Sequence, residues 1–196
     1  TDSPLVDLAP ASPLHGASIG GLESLTKQNG GVLTLTGAHG YSAGTTIAAG
    51  TLRIGNGGLS GTLAGDIVNH AALAFNRAGT LTIAGQISGT GSVNQIGSGT
   101  TVLTAGNSYS GGTTITAGIL QVGDGGASGS ITGNVANNAT LAFNRSDDVT
   151  FADVVGWLAS RWRSARVAVL SSDSIRSAAP RTAHDAPRTA STHHSK

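Results

Sequence analysis

Residues 109–126 read YSGGTTITAGILQVGDGG, and residues 41–58, placed 68 positions earlier, read YSAGTTIAAGTLRIGNGG. Gly44/Gly112, Thr45/Thr113, Thr46/Thr114, Ile47/Ile115, Gly50/Gly118, Leu52/Leu120 and Gly55/Gly123 coincide. The match continues to Leu73-Ala74-Phe75-Asn76-Arg77 and Leu141-Ala142-Phe143-Asn144-Arg145. Turn glycines and apolar positions that recur in register over such a distance describe an architecture of repeated supersecondary units.

Outward from this stretch the chain reads as short strands and turns. Val32-Leu33-Thr34-Leu35-Thr36 alternates apolar with Thr, the period of a strand with one face inward. Thr45-Thr46-Ile47, Thr51-Leu52-Arg53-Ile54, Ile67-Val68, Ala72-Leu73-Ala74-Phe75 and Thr80-Leu81-Thr82-Ile83 follow, and their counterparts recur in the second unit through Ile131-Thr132 and Thr140-Leu141-Ala142-Phe143. These runs are rich in Thr, Val, Ile and Leu, which suit strands. No window sustains apolar residues at helical spacing. An antiparallel sandwich also uses short strands and turns, but it does not require turns and strands to recur in register over 68 residues. The pattern predicts an all-β solenoid, a parallel β-helix over residues 20–156 of about six coils. Each 68-residue unit is expected to divide into three coils of about 22 residues, stacking Ile47, Leu52, Leu73 and Phe75 in line with Ile115, Leu120, Leu141 and Phe143.

Composition agrees. Thirty glycines, three Phe, two Tyr and 11% charged residues, against roughly 25% charged in average proteins, describe a thin core of small side chains. The absence of Cys removes disulfides and thiol chemistry. No apolar run approaches the ~20 residues of a membrane-spanning helix. Net charge is +1, yet residues 1–156 hold four basic and eight acidic residues and residues 157–196 hold seven and two. All glycines lie in the first part and both tryptophans in the second.

Leu25-Thr26-Lys27-Gln28-Asn29-Gly30-Gly31-Val32-Leu33-Thr34-Leu35-Thr36-Gly37 with Tyr41 through Gly55, and again Val93 to Gly123, resemble the passenger-associated strand repeat of bacterial autotransporters, the type V secreted proteins. Ile87-Ser88-Gly89-Thr90-Gly91-Ser92-Val93 resembles the connector of that family. The resemblance covers residues 20–155. It implies a right-handed parallel β-helix exported across the outer membrane and displayed at the cell surface or secreted. The implied function is that of a passenger fragment, a stalk or adhesin-like interaction module associated with virulence, without enzymatic activity. Implied partners are host-cell, matrix or glycan ligands and the outer-membrane translocator barrel of a parent protein. The alternatives are a β-helix enzyme acting on polysaccharide, which needs clustered carboxylates or basic residues, and a truncated product without function.

The ends depart from the repeat. Residues 1–19 carry Pro4, Pro10 and Pro13 and read as an irregular leader or partial coil, without the basic patch and apolar core of a signal peptide. After Val155 a Gly-rich connector is due, and the chain instead continues Gly156-Trp157-Leu158-Ala159-Ser160-Arg161-Trp162-Arg163, with no glycine beyond 156. The switch to Arg, Ala, Ser, Pro and Trp is what a shifted reading frame of GC-rich DNA yields. Residues 157–196 are therefore expected to be an out-of-frame, disordered basic tail. Neither solenoid end shows a polar cap, so self-association through exposed ends is expected.

Candidate chemistry is sparse. Gly16-Ala17-Ser18-Ile19-Gly20 matches G-x-S-x-G without the strand and helix that motif needs. Ser24-Leu25-Thr26-Lys27 matches S-x-x-K without its companion motifs, and Lys27 is expected to be solvated. Gly123-Asp124-Gly125-Gly126 is similar to a calcium-binding turn, but calcium takes about six to eight oxygens and the twin of Asp124 is Asn56. The Thr pairs Thr34/Thr36 and Thr80/Thr82 do not persist in the second unit, where Val102/Thr104 and Asp148/Thr150 stand, which argues against an ice-binding face. His15, His39 and His70 are isolated. Arg77 and Arg145 share one repeat position and are expected to be solvated turn residues, or else a sparse basic ladder for an acidic glycan. No catalytic or metal residue, cofactor or specific nucleic-acid site is expected, and no residue is assignable to a ligand.

Overall fold

A computed structural model describes residues 5–6, 24–39, 43–151, 155–156, 166–169 and 176–177. Among these residues the regular structure is all strand, and every strand pairing is parallel. Three sheets wrap a common core as a β-solenoid of about six turns. Sheet A contains Leu5–Val6, Leu25–Lys27, Thr45–Ile47, Ile67–Asn69 and Ile87–Ser88. Sheet B contains Val32–Leu35, Thr51–Ile54, Ala72–Phe75, Ser92–Gln95, Thr113–Ile115, Val135–Asn137 and Val155–Gly156. Sheet C contains Leu81–Ile83, Thr100–Leu103, Ile119–Val122, Thr140–Phe143 and Arg166–Val169. Ile87–Ser88 and Ser92–Gln95, read from sequence as a connector, are ladder strands.

The expected coil length needs correction. In sheet B, Leu33, Leu52, Leu73, Val93, Thr113 and Val135 are successive partners, so five turns take 102 residues, about 20.4 per turn. A 68-residue repeat divided by that length spans about three and a third turns. The twin strands accordingly occupy different sheets. Thr45–Ile47 lies in sheet A and Thr113–Ile115 in sheet B, while Thr51–Ile54 lies in sheet B and Ile119–Val122 in sheet C. Ile47 stacks between Lys27 and Asn69, and Ile115 between Gln95 and Asn137. The expected alignment of Ile47 with Ile115 is therefore replaced by a rotation of one face per repeat. Sequence twins share an environment because the three faces are near-equivalent, each pairing with the turn before and after it.

The core follows from alternation along each strand. Leu33, Leu35, Leu52, Ile54, Leu73, Phe75, Leu120, Val122 and Leu141 are fully buried. Each such stack removes apolar surface from water, and truncating one member to Ala costs about 2–5 kcal/mol. The stack Leu35–Ile54–Phe75 continues through Gln95, which is also buried, to Ile115. Gln95 Nε2 donates to Gly97 O at 2.9 Å and Gly99 O at 3.2 Å, and Gln95 Oε1 accepts from Thr101 Oγ1 at 2.7 Å. Asn69 does likewise, donating to Ser92 O at 2.9 Å and accepting from Ala71 N at 3.1 Å. Satisfied amides inside the corners bind corner carbonyls, among them Gly99 O, which also accepts from Ile119 N at 3.0 Å.

Strand pairing runs past the expected end at residue 156. Arg166–Val169 pairs with Thr140–Phe143, and Arg176–Ser177 with Thr150–Phe151. The run Arg-Val-Ala-Val has strand-forming residues at alternate positions, which suits an added rung. At the other end, Leu5–Val6 pairs with Thr26–Lys27. The rest of the leader and tail, the G-x-S-x-G match and Tyr41 lie outside the described residues.

Corners must let one turn approach the next at rung spacing, ~4.8 Å. At Gly97 an added Cβ would stand 2.3 Å from Arg77 N and 2.4 Å from Arg77 O, whereas at Gly126 its nearest neighbour is Asp124 Oδ1 at 3.6 Å. Gly97→Ala is expected to lower stability by about 2–3 kcal/mol through overpacking, and Gly126→Ala to change it by less than about 0.5 kcal/mol. Urea titration followed by circular dichroism checks the pair; equal midpoints would contradict the stacking argument.

Candidate functional site

Two twelve-residue segments without a ladder strand stand at equivalent places in the two units. Between Thr51–Ile54 and Ile67–Asn69 the chain makes a twelve-residue arm, Gly55–Asp66, and between Ile119–Val122 and Val135–Asn137 its twin, Gly123–Asn134. The first arm fills the sheet C side of its turn. The second fills the sheet A side, where Gly106 and Ser130 form an isolated bridge. Ile131-Thr132, read from sequence as a strand, belongs to this arm.

Both arms are docked by one hydrogen-bond pattern. Gly55 N donates to Leu35 O at 2.8 Å and Gly123 N to Leu103 O at 2.9 Å. Gly57 N donates to Asn76 O and Gly125 N to Asn144 O, each at 2.8 Å. Ala78 N donates to Gly58 O at 2.8 Å, Ser146 N to Gly126 O at 3.1 Å, Thr62 N to Gly37 O at 3.2 Å and Ser130 N to Ala105 O at 3.1 Å. Glycine is required at the root: Gly55 and Gly123 adopt φ of 82° and 84°, and a Cβ there would stand 2.5 Å from Asn76 O or 2.4 Å from Asn144 O.

The paired arginines close the arms. Arg77 donates through Nη1 to Gly61 O at 2.7 Å and through Nη2 to Leu59 O. Arg145 donates to the corresponding carbonyls, through Nη1 to Gly129 O and through Nη2 to Ala127 O at 2.7 Å. The expectation of solvated turn residues or a glycan ladder is corrected. The guanidinium fork spans two carbonyls that the ladder does not use, and the two arginines face different sides. The second unit adds a carboxylate: Arg145 Nε and Nη2 donate to Asp147 Oδ1 at 2.8 Å and Oδ2 at 2.6 Å. That hydrogen bond, with the facing charge, holds Asp147 below and Arg145 above their ordinary pKa. The twin of Asp147 is Gly79, and Arg77 Nε is buried without a partner.

Lys27 is corrected likewise. It is buried, and its Nζ donates to Gln28 O, to Asn29 O at 2.6 Å and to Ala49 O at 3.2 Å. Its sequence twin is Gln95, and both hold corner carbonyls. Thr34 is also buried and accepts from Arg53 Nε at 3.0 Å and Nη2 at 2.8 Å, which ties one strand to the next. Tyr109 is fully buried; its hydroxyl meets Thr113 Oγ1 at 2.7 Å and its carbonyl accepts from Thr132 Oγ1 at 2.7 Å. Burial pushes its phenol up to about 12. His39 is buried and His70 exposed.

What the arms present outward is Asn56, Gly57, Gly58, Leu59 and Ser60 in one unit, and Asp124, Gly125, Gly126, Ala127 and Ser128 in the other. Leu59 is 70% exposed, the largest apolar projection among the described residues. With Thr36, Gly37, Ala38, Ser60, Gly61 and Thr62 it lines a shallow groove of about 330 Å³. Among the described residues no three His, Asp or Glu side chains gather where they would hold a metal ion. The groove offers contact and hydrogen bonding from hydroxyl and backbone groups, with no acid or base lining it. Sequence reasoning had the glycines and Arg77/Arg145 in view but took them as separate features. Their shared spacing in both units was the signal that they form one device.

These features define a β-solenoid repeat protein with clamped surface arms. The passenger-associated-transport-repeat family model matches residues 25–54 and 93–122. The chain is also similar to the "Adhesin BmaC autotransporter" of Brucella suis biovar 1 (strain 1330), 48% identical over 153 residues, which covers 67% of this chain and 4% of that curated relative. No solved structure matches the chain. The repeat match and the relative together mark the solenoid as autotransporter passenger sequence with passenger-associated repeats.

Arg77→Ala is expected to release the first arm without dissolving the ladders, so that amide exchange quickens in residues 55–66 and stays slow in Thr51–Ile54; Arg145→Ala should do the same for 123–134. Gly79→Asp is expected to give Arg77 Nε its missing partner and to raise stability by about 0.5–1 kcal/mol. Exchange mass spectrometry and denaturant titration read both, and uniform loss of protection would contradict the clamp. For Tyr109, a phenol raised to about 12 from an ordinary value of 10.0 stabilises the fold fully below pH 10. That contribution, on the order of 2–3 kcal/mol, disappears as pH rises from 10 to about 12. Thermal melts across that window should fall more steeply for the native chain than for Tyr109→Phe.

Proposed function

We propose that this chain is a display segment of a surface-exposed or secreted autotransporter passenger with an adhesin-like, non-enzymatic role. The observation that carries the reading is the pair of docked arms, which hold small polar and apolar groups rigidly outward on two different faces. A clamped arm keeps its conformation in the free protein, so it pays little ordering entropy on contact. The absence of a facing acid and base in the groove weighs against polysaccharide cleavage, which uses paired carboxylates. The relative named as an adhesin supports the same direction. Host-cell, matrix or glycan surfaces are the proposed ligands, engaged by many weak contacts along a longer passenger.

The purified chain, presented multivalently on beads, is expected to retain beads on cultured host cells or on immobilised matrix extract. Arg77→Ala and Arg145→Ala together should reduce retention. The same preparation should release no reducing ends from a panel of polysaccharides. Polysaccharide turnover, or retention that the double variant leaves unchanged, would overturn the proposal.

A further inference from the structure

We propose that Asn56–Gly57 is a latent deamidation site, closed while the first arm is docked and opened when the arm lifts. In this reaction the Gly57 nitrogen loses its proton to hydroxide and attacks Asn56 Cγ. The C–N bond of the side-chain amide breaks and ammonia leaves, which gives a five-membered succinimide. One water then opens the ring at either carbonyl to give Asp or isoaspartate, so the sequence needs only solvent. Glycine after asparagine favours it because no Cβ obstructs ring closure, and asparagine is among the thermolabile residues.

The site has room for this chemistry. Asn56 is exposed, and nothing stands within 4 Å of the place a Gly57 Cβ would take. What restrains the reaction is the nucleophile itself, since Gly57 N–H donates to Asn76 O at 2.8 Å. The neighbouring residues complete the restraint. Arg77 holds the carbonyls of Leu59 and Gly61, and Ala78 N–H holds Gly58 O at 2.8 Å. The contacts that dock the arm therefore also occupy the reacting nitrogen.

The second unit shows what the product resembles. Position 56 is matched by Asp124, and Gly125 N–H makes the same 2.8 Å bond, to Asn144 O. An aspartate is thus accommodated in a docked arm, whereas isoaspartate adds a backbone methylene that the pattern of bonds does not accommodate. Either product places a negative charge three residues before Leu59, on an arm whose other charged residue, Asp66, stands at its far end. The consequence for adhesion rests on the function proposed above; the chemistry does not.

The test is incubation of the full chain at mildly alkaline pH, with tandem mass spectrometry reading the conversion of Asn56. Asn29–Gly30, which lies outside the arm, serves as the internal comparator. Asn56 is expected to convert at least roughly tenfold slower in the folded chain than in urea, the protection a few hydrogen bonds confer. Arg77→Ala should restore most of that rate, and Arg145→Ala, which frees the other arm, should leave it unchanged. Equal rates in folded and unfolded chain would overturn the proposal. So would a folded Arg77→Ala variant with the native rate, or equal acceleration by both variants. If Arg77→Ala does not fold, the ratio of native to urea rates decides alone. A failure of bead retention with these rates intact would sink the adhesive reading and leave the site standing.

Discussion

The hydrogen bond from an N–H of one turn to the carbonyl about twenty residues earlier is the constraint on which the rest of this protein depends. It fixes the approach of successive turns at rung spacing. Every corner must then be small, because at Gly97 or Gly111 a single Cβ would stand 2.3–2.5 Å from backbone of the turn before. It also places each inward residue on the one below, Leu33 on Leu52 on Leu73. The core is thus a set of columns, and a thin one. The aliphatic side chains that fill most columns suit that geometry.

The same constraint explains why the repeat and the turn disagree. Turn length is set by three short strands and their corners, and the ladder holds it near twenty residues. Repeat length is set by a larger unit that includes the arm. Since 68 is not a multiple of the turn, the unit closes on the next face, and the molecule tolerates this because its faces are interchangeable. Lys27 and Gln95 show the tolerance at one position. An ammonium and an amide, at twin places on different sheets, both satisfy carbonyls at a corner.

The fold was legible because its signals are local and repeated. Alternation at Val32–Thr36, the corner at Ala49-Gly50, the recurrence of Thr-Thr-Ile at 45–47 and 113–115, and Leu52-Arg53-Ile54 matched by Leu120-Gln121-Val122 describe strands and corners without reference to anything distant. The rotation was not legible, since it is a ratio between repeat length and turn length, and only the pairing of Leu52 with Leu73 supplies the second. Lys27 and Arg77 were misjudged for one reason. A charged residue in a Gly-rich sequence reads as solvated, and its true partners are carbonyls, which every residue has and no sequence pattern marks. The tail strand Arg166–Val169 was hidden by composition, whereas its pairing depends only on an open edge at Thr140–Phe143.

The distribution of differences between the two units follows from the rotation. Inward positions are coupled to their column, so a change at Leu52 is felt at Leu33 and Leu73, and the repeat keeps Leu120 there. Arm residues are coupled to nothing equivalent. The two arms lie a third of a turn apart around the axis and about 16 Å along it, taking three and a third rungs of ~4.8 Å. No flat surface meets both in the same way. Leu59 and Asn56 are thus free to differ from Ala127 and Asp124, while Gly55, Gly61 and Arg77, which build the dock, are matched by Gly123, Gly129 and Arg145. A scaffold that repeats its dock and varies what the dock holds out is one whose variation is concentrated where solvent and partners reach it.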